Sequence, residues 1–282
     1  MDMVRVVKKK YERSVLNLGQ IAVLELVYKY RFGTRSLIGS SLGLKSGTSL
    51  YERLEVLVKN GYVGKRSDIR SKAINKPAAY YVTSKGIKVL QALPGHEHIT
   101  DQAIRLSYQN KGTVRDEFIA HILNVYELTQ TIERQYPTLK VFTERDISRY
   151  SYFPERLPEA FLSLPTDDPE APHRFFFDVV RDRQPRRTLD VRLTNYVEFF
   201  DDGGWDDTES ELPVILLVCE WAPSERSIQR STRALLSRLD STMRVYTTTA
   251  NAIRNSDESL AIWTDIQDVD ELISLDDISV NP

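Results

Sequence analysis

A single cysteine, Cys219, stands among 282 residues, so no internal disulfide can form and a multi-cysteine zinc site is excluded. The four histidines, His96, His98, His121 and His173, are scattered without HExxH or comparable ligand spacing. No apolar run reaches the roughly 18 residues that a membrane-spanning helix needs. With a mean hydropathy of -0.36 and 28% charged residues, the chain is expected to be soluble and cytoplasmic, with no membrane partner. The basic opening Met1 to Lys10 has no apolar segment behind it, so no secretory signal is expected. Gly203-Gly204-Trp205 lacks the GxxxxGK[ST] or strand-GxGxxG-helix context of a phosphate loop, and no His, Cys and carboxylate set is spaced as a nucleophilic triad.

What the chain does have is a charge division hidden by its net charge of -2. Residues 1–100 carry 18 Lys+Arg against 7 Asp+Glu, and residues 101–282 carry 20 against 33. A basic module of this size favours a polyanion, because neutralising phosphates releases condensed counterions, whereas the acidic remainder would be repelled by one. The length suggests two domains, and 41% hydrophobic content is enough for a core in each.

In the basic part, Ile21, Leu24 and Tyr28, widened by Val23 and Val27, recur at helical spacing between Leu18 and Tyr30. A short second helix is expected over Thr34 to Leu42, ended by Gly43. A third follows, with Leu50, Leu54, Leu57 and Val58 as its buried stripe and Asn60-Gly61 as its stop. Tyr62 to Arg66 and Ala78 to Val82 read as two strands around a polar tip, and Ser84 to Leu93 as a closing helix.

This order over residues 14–93, with its strand-to-helix exit Tyr80-Tyr81-Val82-Thr83-Ser84-Lys85-Gly86, resembles the winged helix-turn-helix. The resemblance implies a third helix that enters the major groove and a hairpin that lies against phosphates. The DNA-binding candidates are then Lys45, Ser46, Thr48, Ser49, Tyr51 and Arg53 on the third helix and the turn before it. Lys65, Arg66, Arg70, Lys72 and Lys76 are the candidates on the wing.

The acidic part begins after a polar connector with some helical character. A strong helix is expected over Thr113 to Gln135, with Phe118, Ile122, Val125 and Ile132 as its stripe. Strands are expected at Lys140 to Thr143, Glu159 to Leu164 and Arg174 to Val180, then a helix over Pro185 to Phe200. Asp201 to Glu211 holds six carboxylates in eleven residues and must be a surface loop. Val214 to Cys219 reads as a strand covered on both faces. A helix ending at Leu239 and strands Val245 to Thr248 and Leu260 to Trp263 complete the order. Cys219 is expected to be buried and inert.

The αβββαβ order resembles the core of the PD-(D/E)XK nuclease superfamily. That resemblance implies metal-holding acids at Glu159, in Pro158-Glu159-Ala160, and at Asp178, in Phe177-Asp178-Val179-Val180. Val180 occupies the lysine position, and Arg181, next along the strand, is expected on the opposite face. Without that lysine the expected reading is non-catalytic: Glu159 and Asp178 are strand-end carboxylates satisfied by nearby arginines, and no cofactor is required. A magnesium-dependent endonuclease using the same two acids is the alternative, and a protein-docking adaptor a further one.

Taken together, several further strings point to one family. They are His121 and Asn124 on one helix, Leu157-Pro158-Glu159-Ala160-Phe161, Phe176-Phe177-Asp178-Val179-Val180-Arg181, Leu193-Thr194-Asn195-Tyr196 and Leu212-Pro213-Val214-Ile215-Leu216. With the winged helix, they resemble the replication-relaxation family over residues 14–264. Many members of that family carry a Pro-Asp pair and an acid-x-Asp-Arg string, where this chain has Glu159 and Val180. The resemblance implies a DNA-binding protein of a plasmid or other mobile element, tied to replication, mobilisation or transcriptional control. Double-stranded DNA, a second copy of the chain and replication or transfer proteins are its implied partners.

The expected fold class is α+β and α/β, an N-terminal winged helix-turn-helix followed by an α/β restriction-endonuclease-like domain. The expected divisions are 1–95, a connector 96–112, an α/β domain 113–264 and an acidic tail 265–282. From Asp257 onward there are eight acidic residues and no Lys or Arg, so a solvated tail is expected. Its Val269, Leu272, Ile273 and Leu275 also permit a short amphipathic helix that docks on a partner or on the basic domain.

Overall fold

The computed structural model describes residues 16–44, 48–67, 77–168, 171–181, 184–256 and 260–278. The N-terminal unit is a winged helix-turn-helix: α1 (Leu18–Lys29), α2 (Arg35–Ser41), α3 (Thr48–Lys59), β1 (Val63–Arg66), β2 (Ala79–Val82) and α4 (Ser84–Gln91). Asn17 and Gln20 form a reciprocal capping box at the start of α1, and Thr34 and Thr83 cap α2 and α4 through their hydroxyls. Val23, Leu24 and Val27 form the buried centre of α1, with Ile21 and Tyr28 at its edges; they pack against Leu50, Leu54 and Leu57 of α3.

β1 and β2 pair antiparallel with Val63 opposite Val82, and Gly33 bridges to Tyr80 on the other side of β2. Two glycines allow close approaches here. A Cβ on Gly64 would collide with the Tyr81 ring, and one on Gly86 would collide with the Tyr62 carbonyl, so the hairpin closes directly onto α4.

The polar connector expected before the second domain is largely a helix. α5 (Asp101–Gly112) packs on α4 and contributes Ala103, with Ile99 just before it, to the winged-helix core. The long helix α6 (Asp116–Gln135) begins three residues later than expected. Its buried residues also exceed the expected stripe, because it is covered on two sides. Val125, Leu128 and Ile132 face the large sheet, while Tyr126 stacks on Tyr30 of the winged helix, ring centroids 3.6 Å apart, and shares a 2.8 Å hydrogen bond with Ser41.

The second unit is a six-stranded sheet in sequential order: β3 (Lys140–Thr143), β4 (Ala160–Leu164), β5 (His173–Val179), β6 (Val214–Cys219), β7 (Val245–Thr249) and β8 (Thr264–Asp265). β3, β4 and β5 run antiparallel as a meander. β5, β6 and β7 are parallel, and β8 returns antiparallel. A short helix, α7 (Glu144–Ile147), follows β3 and was not expected. α6 and α10 (Ala250–Arg254) cover one face of the sheet; α8 (Arg186–Asp201) and α9 (Ala222–Arg238) cover the other. β5 and β6 alternate between the two layers, which is why both read as nearly continuous apolar runs. The helix-sheet-helix sandwich with this mixed strand order is the expected restriction-endonuclease-like α/β domain.

Three further expectations are corrected at the end of the chain. The last strand is Thr264–Asp265, not Leu260 to Trp263, and Trp263 instead bridges to Ile273. The stretch after it is not simply solvated. Leu275 and Ile278 are fully buried in the sheet core, and the Leu275 amide donates to the Tyr136 hydroxyl at 3.1 Å. Nor does it lie on the basic domain through the proposed amphipathic face, since Val269 and Leu272 are exposed. The acidic segment Asp201 to Glu211 keeps its six carboxylates exposed, as its composition requires. Its Trp205 is nevertheless buried among Tyr152, Phe153 and Phe176, and its indole N–H donates to the Glu211 carbonyl at 3.0 Å.

Candidate nucleic-acid interface and the paired carboxylates

α3 buries Leu50, Leu54 and Leu57 and leaves Ser49, Tyr51, Glu52 and Val56 exposed. Tyr51 is 44% exposed, and the Arg35 guanidinium at the start of α2 lies 5.9 Å from its ring. This corner is the free end of the helix pair, and Arg35 belongs to it although the residue pattern did not single it out. The first residue of α3 is Thr48. Arg53 behaves differently from its neighbours. Its guanidinium lies against Gly19 of α1, where an added Cβ would come within 2.8 Å of Nη1. Lys65 is exposed on β1, 3.7 Å from the Glu55 carboxylate and 5.8 Å from the Tyr80 ring centre.

Arg66 is engaged inside the protein. Its guanidinium donates to the carbonyls of Asn110 and Val114, both at 3.2 Å, and to the Asp116 carboxylate at 2.7 Å. It fastens the hairpin to the α5–α6 junction, a role with ample donors because a guanidinium carries five N–H groups in a fixed fork. Lys45, Ser46, Arg70, Lys72 and Lys76 lie outside the described residues.

In the α/β domain, Glu159 and Asp178 come together where β4 begins and β5 ends. The Glu159 amide donates to Asp178 Oδ1 at 3.3 Å. Asp178 is almost wholly buried; Arg192 of α8 donates to its Oδ1, and the Tyr196 hydroxyl donates to its Oδ2 at 2.8 Å. Glu159 Oε1 lies 2.5 Å from His121 Nε2 of α6, and Oε2 accepts the Val179 amide at 3.0 Å. Burial pushes the Asp178 carboxyl above the ordinary carboxylate range, against the pull of Arg192. The same burial, with the anion beside it, pushes the Tyr196 hydroxyl well above its usual value. A cleft of about 330 Å³ opens over this pair, with Arg181, Gln184 and Thr188 on its rim.

The expectation that nearby arginines satisfy these acids therefore describes Asp178, whereas Glu159 is held mainly by His121 and a backbone amide. The Arg181 guanidinium lies 5.8 Å from the Phe118 ring of α6, on the opposite side of the sheet from Val180 as expected, although at the strand end it also borders the cleft over Asp178. Val180 is buried in the core beside α8. Arg192 was missed, yet it left a signal: it lies three residues after Leu189 and four before Tyr196, within the buried stripe of α8.

No protein-family model matches the chain, and no curated protein matches it. The resemblance to the replication-relaxation family therefore rests on its motifs alone. Solved structures match with low similarity. A cysteine mutant of MarR from E. coli, complexed with operator DNA, is 17% identical; the match covers 42% of this chain and 76% of that one, with a TM-score of 0.24. A double mutant of ZitR from Lactococcus lactis is 13% identical over 48% of this chain and 84% of that one, with a TM-score of 0.25. The restriction endonuclease FokI bound to DNA is 9% identical over 90% of this chain and 47% of that one, with a TM-score of 0.29.

The residues at the nuclease-like position do not fit a divalent cation. All four carboxylate oxygens of Glu159 and Asp178 already have protein partners, one of them the cation Arg192. Among the described residues, no group of three or more His, Cys, Asp or Glu is placed to hold a metal. A hard dication takes several oxygen ligands and would have to displace a guanidinium from a buried site. Among the described residues, no helix is long and apolar enough to cross a membrane.

Proposed function

We propose that the chain is a sequence-specific, non-catalytic double-stranded DNA-binding protein of a mobile element, acting in its replication, mobilisation or transcriptional control. The observation that carries the reading is the exposed end of α3, where Ser49 and Tyr51 are open to solvent and the Arg35 guanidinium lies over the Tyr51 ring. Residues 1–100, which contain this corner, also carry the chain's positive excess. Arg35 and Lys65 supply cations to phosphates, and the first turn of α3 meets base edges. The acidic α/β unit, repelled by phosphate, supplies the contact to a second copy of the chain or to replication or transfer proteins. Two copies reading two half-sites give the specificity that one helix seldom provides against genomic competitors. No cofactor takes part.

Fluorescence anisotropy with duplex fragments flanking the gene, across a salt series with and without magnesium, tests this reading. The expected result is fragment-selective, salt-sensitive binding that leaves the DNA intact. Binding that is absent on every duplex at low salt would overturn it in favour of a docking adaptor. Magnesium-dependent cleavage abolished by Glu159→Ala and Asp178→Ala would overturn its non-catalytic part.

A further inference from the structure

A cavity of about 430 Å³ lies where the end of α1 meets the α/β unit, and residues of both units line it. Its polar wall is cationic. Arg31 and Lys29 come from the end of the winged-helix α1, Arg145 and Arg149 from α7 and the turn after it. Two carboxylates, Glu144 and Glu159, also border it, and Glu159 is already occupied by His121 and the Val179 amide. Leu106 of α5 and Ile122 and Val125 of α6 supply apolar lining to the same cavity.

The two inner arginines are held in place without an anion. Arg145 Nη1 donates to the Tyr28 carbonyl at 2.6 Å, and its guanidinium lies 4.6 Å from the Tyr28 ring centre. Arg31 Nε donates to Asn110 Oδ1 at 3.0 Å, and its guanidinium lies 4.8 Å from the Phe118 ring centre. Among the described residues, neither has a carboxylate within ion-pair distance. Burial depresses both guanidinium pKa values, that of Arg145 to about 10. Their remaining N–H donors are not sealed away, for no nitrogen of either arginine is among the buried, unpartnered polar atoms of the described residues.

Arg31 follows the C-cap Tyr30 of α1 and takes the left-handed conformation, φ 65°, with which helices commonly end. That turn aims the Arg31 side chain from the end of α1 into the cavity lining. Glu144 offsets Arg31 and Arg145 in part, and Asp146 offsets Arg145, yet four Lys and Arg side chains line the cavity against two carboxylates. That excess, beside apolar lining residues, is complementary to an anion with an apolar body.

We propose that this cavity is a binding site for a small organic anion, its phosphate or carboxylate head on Arg31, Arg145 and Arg149 and its body against Leu106, Ile122 and Val125. Charge-assisted hydrogen bonds to the guanidinium forks fix the head, and the apolar lining selects against bare inorganic ions. Because the cations come from both units, an occupant braces the winged helix against the α/β domain. The site stands whether or not the winged helix binds DNA.

Isothermal titration calorimetry of the full chain with phenyl phosphate, benzoate, inorganic phosphate and benzyl alcohol tests the proposal. Phenyl phosphate and benzoate share a body and differ in the head, inorganic phosphate lacks the body, and benzyl alcohol lacks the charge. Saturable binding of at least one of the two aromatic anions, tighter than that of inorganic phosphate or benzyl alcohol, is expected. Arg149→Ala, at the exposed rim, weakens it by about tenfold, the scale of one lost charge-assisted hydrogen bond. Leu106→Trp fills the cavity from its apolar side and abolishes binding. Circular dichroism melting verifies that each variant is folded. The proposal fails if neither aromatic anion binds the folded wild-type chain, if benzyl alcohol binds as tightly, or if folded Leu106→Trp binds as the wild type does.

Discussion

Arg192 of α8 donates to Oδ1 of Asp178, so a cation from a helix supplies what the strand itself lacks at Val180. The pair is a structural charge clamp: the Tyr196 hydroxyl and the Glu159 amide complete the carboxylate's shell, and the Asp178 anion raises the pKa of the guanidinium. Removing one partner of a buried pair leaves an uncompensated charge, a loss of about 3–5 kcal/mol. Arg192→Met is therefore expected to lower unfolding free energy by about that amount at pH 7, read by urea denaturation.

The pH dependence of that variant follows from the direction of the Asp178 shift. A carboxyl with a raised folded-state pKa binds more protons folded than unfolded between its ordinary value and the raised one. Stability then increases as the pH falls through that window and is lost again as the pH rises. Without Arg192 the raised value moves higher still, so the defect shrinks as the pH falls from neutral toward the ordinary carboxylate range and is largely relieved in the double variant Arg192→Met, Asp178→Asn. A defect that stays constant across that whole pH range and survives in the double variant would show that Arg192 acts through packing alone.

Much of the fold was legible in the residues, and the partners of the paired acids were not. Local signals placed most elements: Thr34 and Thr83 as caps, Gly43 and Gly61 at positive φ after α2 and α3, and Val214 to Cys219 as a strand buried on both faces. Glu159 and Asp178 were paired through the resemblance to the PD-(D/E)XK core, and they do meet, where β4 begins and β5 ends. Their partners His121 and Arg192 come from helices 38 and 14 residues away in sequence, and no local period encodes which helix face meets which strand end. α6 misled for a related reason. A one-sided stripe assumes solvent on the other side, whereas the winged helix covers Tyr126 and Gln130.

The end of the chain illustrates how composition can mislead about packing. Eight acids and no cations suggest solvation, yet Leu275 is fully buried beside Tyr136, and Ile278 lies in the same core. Leu275→Ala is expected to cost about 2–5 kcal/mol, the usual range for a buried leucine truncated to alanine. Removing residues 265–282 should lower the melting temperature of the full chain instead of raising its DNA affinity. An unchanged melting temperature, measured by scanning calorimetry, would mean that this packing contributes nothing.

Cys219 ends β6 fully buried, and burial pushes its thiol pKa up to about 12. Since the thiolate is the reactive species, Ellman's reagent at pH 8 should leave the folded chain unmodified and react with one thiol per chain in guanidinium chloride. Fast labelling of the native protein would place the thiol at an accessible surface and contradict the packing of β6 between its two helix layers.

Arg35 and Arg66 offer the sharpest test of which basic residues face a ligand. Arg35 is exposed beside Tyr51, while Arg66 is spent on two carbonyls and Asp116. Arg35→Ala and Tyr51→Ala are each expected to weaken duplex binding by about 1–3 kcal/mol while leaving the melting temperature close to that of the wild type. Losing a phosphate contact at Arg35 should also make the slope of log affinity against log salt shallower by about one unit. Arg66→Ala should do the reverse. Two partly buried carbonyls lose their donor, so stability falls by about 1–3 kcal/mol, while affinity measured below the melting transition changes little. A swapped outcome, with Arg66→Ala abolishing binding at native stability and Arg35→Ala silent, would move the interface from the α2–α3 corner to the hairpin.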